Sequence, residues 1–102
     1  MNSDKEAVIR RHLESLETVL QHLKEAQSQP KPFNVQIGMK PVKELMDIAA
    51  HLEEDMPGVA PAFKPQDYVV FKSLKGQPRY ENLKIQAYIN DAVGCLNKAL
   101  EA

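Results

Sequence analysis

The chain has 102 residues, 13 basic and 14 acidic side chains, a formal net charge of −1 and 43% hydrophobic residues. That length gives one domain, 1–102, and the composition excludes wholesale disorder. The charge balance excludes a global field drawing the chain to nucleic acid or membrane. The lone cysteine, Cys95, excludes an internal disulfide.

The first residues, Met-Asn-Ser-Asp-Lys-Glu, are not a basic region followed by an apolar run, so they do not read as a signal peptide. No stretch approaches the ~18 apolar residues of a membrane span. Together with the single thiol, this gives the expectation of a soluble, cytoplasmic protein in a reducing compartment.

The spacing predicts a first helix over residues 4–27. Ser3 followed by Glu6 has the form of a capping box. Asp4 and Glu6 suit the positive end of the helix dipole. Ile9, Leu13, Leu16, Leu20 and Leu23 follow at steps of four, three, four and three, placing five aliphatics on one seam. Val8 and Val19 widen it.

Pro30 and Pro32 forbid continuation of that helix. Phe33, Val35 and Ile37 then alternate with Asn34 and Gln36, the pattern of a short extended segment at 33–37. Alone it is too short for a stable sheet. Pro41 suits the first turn of a second helix, where its missing N–H is no loss. Val42, Leu45, Met46, Ala49 and Leu52 form its apolar face, and Pro57-Gly58 ends it.

A proline-rich loop, 55–66, carries Met56, Val59 and Phe63. Residues 66–75 carry two signals. Tyr68-Val69-Val70-Phe71 favours a strand. Pro65-Gln66-Asp67 as a helix start and Gly76 as a helix stop favour a short helix, which is the reading preferred. A last helix follows Pro78, with Leu83, Ile85, Ile89, Ala92, Val93, Leu96, Ala99 and Leu100 as its apolar surface. Gly94 inside it is the kind of residue that admits a close neighbour. The expected fold is mainly all-α, an irregular four-helix bundle in which two long helices bracket two short ones.

Chemistry-bearing patterns are sparse. Cys95 lies beside an apolar helix face and reads as a small hydrophobe. His12 and His22 are too far apart on one helix to share an ion. Glu44, Asp47 and His51 share a helical stripe, but the other helices do not complete a ligand set. No paired catalytic carboxylates, nucleophile elbow or phosphate loop is present. The chain therefore reads as a non-catalytic protein-interaction module without a cofactor. A small metal-binding protein or enzyme subunit is the third reading.

Two stretches carry candidate binding residues. Glu53, Glu54 and Asp55 sit at the C-terminal end of the second helix, opposing its dipole. They are either compensated inside the fold, by Lys31, Lys40, Lys43 or the basic stretch, or displayed to a basic partner. With Met56 and Phe63 they form the expected partner surface. Residues 64–84 mix Lys64, Lys72, Lys75, Arg79 and Lys84 with Tyr68, Phe71 and Tyr80. Lys72, Lys75, Arg79 and Tyr80 are the residues expected to serve a nucleic-acid alternative. The seam from Ile9 to Leu23 suits pairing with one other helix, in the same chain or in a second copy.

Overall fold

The computed structural model of the chain describes residues 3–28 and 35–102. Among the described residues the fold is made of three helices and one small sheet. Helix α1 spans Ser3–Gln27, strand β1 Gln36–Ile37, helix α2 Met39–Asp55, strand β2 Val69–Lys72, strand β3 Pro78–Glu81 and helix α3 Asn82–Glu101. A single 3-10 turn, Pro65–Tyr68, leads into β2. The strands are antiparallel in the order β1-β3-β2.

Helix α1 is the centre of the packing: α3 lies along one side of it and α2 along another. The five seam residues are all buried there, from Ile9 at 0% to Leu13 at 9% exposed. They meet Val42, Leu45 and Leu52 of α2 and Ile85, Ile89, Ala92 and Leu96 of α3 in one core. The seam is thus used within the chain, and it offers no face to a second copy. Burying five aliphatic side chains contributes roughly 1.5–3 kcal/mol each.

The four-helix expectation is corrected at residues 66–81. The stretch read as a short helix is the 3-10 turn followed by β2, and the last helix begins at Asn82 after β3. The misleading residues are Gly76 and Pro78. Gly76 has φ +76°, which a helix stop and a tight hairpin turn both require. Here it closes the hairpin, with its N–H donating to Ser73 O at 2.8 Å while Ser73 N–H donates to Gln77 O at 2.8 Å. Pro78 opens β3, one of the few strand positions a residue without an N–H tolerates.

The extended segment near 33–37 is present where it is described: Gln36 and Ile37 pair with Glu81 and Tyr80. Pro30, Lys31, Pro32, Phe33 and Asn34 lie outside the described residues. Pro41 sits in the first turn of α2, as its chemistry predicts. Gly94 is exposed, and a Cβ there would meet nothing within 4 Å, so it serves no close approach.

Candidate partner-binding surface

Two of the three acids at the end of α2, Asp55 and Glu53, have partners inside the chain. Asp55 lies with one carboxylate oxygen 2.8 Å from Nε2 of His12 on α1. His12 is only 6% exposed, so a buried imidazole and a half-exposed carboxylate tie the two helices together. Glu53 accepts the Gly58 N–H at 3.3 Å across the turn after α2. Lys40 and Lys43 make no ion pair with these acids among the described residues. Glu54 lines an open cleft of about 420 Å³ together with Arg11, His12, Ser15 and His51. Met56 is 6% exposed and packs in the core, so it offers little surface of its own.

Phe63 is half-buried, but its position matters. It stacks on Tyr68 at 5.5 Å between ring centroids and tilts against Tyr88 at 5.0 Å. The Tyr88 hydroxyl donates to Pro61 O at 2.7 Å, pinning the proline loop to α3. Burial pushes the Tyr88 phenol up to about 12, reinforced by neighbouring Tyr68 and Cys95. The Tyr68 phenol is raised too, first by burial and then by Asp67 and Asp91.

Beside this aromatic group a cleft of about 490 Å³ opens between α2, the proline loop and Tyr88. Its wall on α2 is Met46, Ala49 and Ala50, one helical stripe, with Glu53 one turn further on. Its wall on the loop is Ala60, Pro61, Ala62 and Phe63. Small side chains keep the cleft open, and buried Leu52 and Tyr88 form its floor.

The second surface is the β2–β3 hairpin. Val69 pairs with Tyr80, yet Phe71 pairs with Arg79: two steps on β2 match one on β3, which is a β-bulge at Val70. Adjacent strand residues face opposite sides, so Tyr80 and Arg79 point apart and their partners do too. Val69 therefore packs on the core, while Phe71 is 47% exposed. Val70 is exposed as well, and Leu74 in the turn is fully exposed. Large apolar side chains gathered at one place on a surface mark a contact site more often than scattered ones do.

Of the four residues expected to hold nucleic acid, Lys72, Lys75 and Arg79 fall on this hairpin. Lys72 and Lys75 are exposed, and Arg79 donates to Gln36 O across the sheet at 3.1 Å. Tyr80 does not join them. It is 3% exposed, and its hydroxyl points to Met39 Sδ at 3.1 Å. The exposed aromatic is Phe71, which the sequence places in the same basic stretch but does not single out over Tyr80, because the bulge that turns it outward leaves no mark in composition. Among the described residues no group of three His, Cys, Asp or Glu side chains is placed to hold a metal ion. His51 of the Glu44–Asp47–His51 stripe bonds through Nδ1 to the Asp47 carbonyl at 2.9 Å. No described helix is long and apolar enough to cross a membrane.

Compared with known proteins, the chain matches no family model, no curated protein and no solved structure.

Proposed function

We propose that the chain is a non-catalytic protein-interaction module that engages its partner through the β2–β3 hairpin. The observation that carries this reading is the bulge at Val70, which takes Phe71 off the core side and leaves it exposed on the same hairpin as exposed Val70 and Leu74. A bulge that re-aims a bulky apolar side chain into solvent is unfavourable for the isolated fold, and such local conflicts concentrate at functional positions. Lys72 and Lys75 flank the apolar residues, so the surface suits a partner that is apolar at its centre and acidic at its rim. The acidic end of α2 is the lesser candidate, because Asp55 and Glu53 already have partners.

The test is capture from native extract by the wild-type chain and by Phe71→Glu, with Glu17→Lys on the exposed face of α1 as control, with and without nuclease. A stoichiometric, nuclease-resistant protein held by wild type and control but lost by Phe71→Glu supports the reading. Equal capture by Phe71→Glu removes the hairpin from it.

A second reading has one observation in its favour: Phe71 shares a hairpin with Lys72, Lys75 and Arg79, the mixture that stacks on bases and tracks phosphates. It expects capture that disappears with nuclease and weakens steeply with salt.

A further inference from the structure

We infer that the hairpin of one copy of this chain docks in the α2–α3 cleft of a second copy, giving a head-to-tail assembly. The inference rests on the hairpin being the docking element, and it names the partner as the chain itself.

Both halves of a complementary pair are present on one molecule. The hairpin offers Leu74 fully exposed in its turn, with Phe71 and Val70 exposed on its first strand. The cleft, about 490 Å³, falls in the range of sites that enclose a compact apolar group. Its walls are Met46, Ala49, Ala50, Ala62 and Phe63, and Met46 is itself 40% exposed at the mouth. Leu74 does not line the cleft of its own chain, so the hairpin can fill such a cleft only in another copy.

Charge fixes the pairing. Lys72 and Lys75 flank the apolar hairpin residues and make no ion pair among the described residues. Glu53 lines the cleft, and its one hydrogen bond, from Gly58 N–H, leaves acceptor capacity on the carboxylate. Residues 44–55 of α2 carry Glu44, Asp47, Glu53, Glu54 and Asp55 without a lysine or arginine. The C-terminal end of α2 adds the negative pole of its dipole, which favours an approaching cation. A chain with a net charge of −1 thus separates its charges into a basic hairpin and an acidic helix end.

The two surfaces differ, so a single unreciprocated contact is heterologous. Repeated, it closes into a ring or continues as a filament.

The experiment is sedimentation velocity and light scattering on the full chain over a wide concentration range, at low and high salt. Two variants at exposed positions accompany it: Leu74→Glu, which disables the hairpin, and Ala50→Glu, which disables the cleft. Circular dichroism checks that both are folded. The wild type is expected to grow in mass with concentration, and less so at high salt. Each variant alone is expected to remain monomeric. Their equimolar mixture is expected to double the monomer mass and stop there, because Leu74→Glu keeps its cleft and Ala50→Glu keeps its hairpin. A wild type that stays monomeric, an Ala50→Glu chain that still dimerises, or a mixture that stays monomeric each overturns head-to-tail docking. Failure of the hairpin reading looks different: Phe71→Glu then captures the same proteins from extract as the wild type does.

Discussion

The Nε2 of His12 lies 2.8 Å from a carboxylate oxygen of Asp55, joining the middle of α1 to the last residue of α2. The imidazole is buried and the carboxylate half-exposed, so the two partners are not equivalent. Removing the acid leaves a buried ring nitrogen without its partner, whereas removing the ring also opens space in the core. Asp55→Ala is expected to destabilise the fold by about 1–2 kcal/mol. His12→Ala is expected to lose more, about 2–4 kcal/mol, because a packing defect is added. Urea unfolding of both variants and of the double variant measures the coupling between them. If the two losses simply add, the contact contributes nothing of its own.

Asn82 is the other polar side chain inside the core, at 0% exposure. Its amide donates to Leu23 O near the end of α1 at 2.9 Å, and its own carbonyl accepts from Gln86 at 2.8 Å. Its backbone N–H reaches Val35 O at 3.1 Å. One residue therefore ties α1, the entry to β1 and the first turn of α3. Asn82→Leu is expected to lose about 2–3 kcal/mol, since the bond from its amide to Leu23 O and the bond from Gln86 to its carbonyl are both lost from the core. A melting temperature unchanged by this variant would show that the amide is replaceable.

Two glycines should respond in opposite directions to alanine. Gly58 has φ +76° in the turn after α2, a conformation that disfavours any Cβ. Gly58→Ala is expected to destabilise by about 1–2 kcal/mol. Gly94 is helical and exposed with open space at its Cβ position, so Gly94→Ala is expected to stabilise by about 1 kcal/mol. Thermal unfolding checks both, and a Gly94→Ala chain that melts lower than wild type would contradict the open space seen there.

The alkaline limb of stability should report Tyr88. Its folded phenol is pushed up to about 12 by burial, above the usual value of 10.0. Between those values the unfolded phenol has lost its proton while the folded one keeps it, so stability is full below pH 10 and falls as pH rises toward 12. The loss on that account is on the order of 2 kcal/mol. Tyr68, also raised, acts in the same direction. Tyr88→Phe is expected to be about 1 kcal/mol less stable at neutral pH, for want of the bond to Pro61, but to lose less between pH 10 and 12. Denaturation curves of the two chains with the same alkaline slope would count against this assignment.

The helices were legible in the sequence because their signals are local. The Ile9–Leu23 seam, the Pro41 start and the Pro57-Gly58 stop each act within a turn or two of chain. The hairpin was not legible because its evidence is distributed. Gly76 serves a helix stop and a hairpin turn by the same positive φ. Pro78 fits the start of a helix as well as the first position of a strand. Which side of the strand Phe71 faces is fixed only by its pairing with β3, which reveals the extra residue at Val70. The compensation of Asp55 was hidden for a related reason: His12 and Asp55 are 43 residues apart, and only tertiary packing brings them together. Tyr80 was assigned to a surface by its basic neighbours, yet strand alternation puts it on the opposite face from Arg79.

The central position of α1 has a consequence for how the chain opens. Helices α2 and α3 pack mainly on α1 and not on each other, and the proline loop spans the gap between them. Either outer helix can then detach while the remaining pair keeps part of the core, but loss of α1 leaves no shared apolar surface to hold the rest. The amide protons of residues around Leu16 should therefore exchange with solvent only through global unfolding, whereas those of α2 near Asp55 exchange through a smaller, local opening.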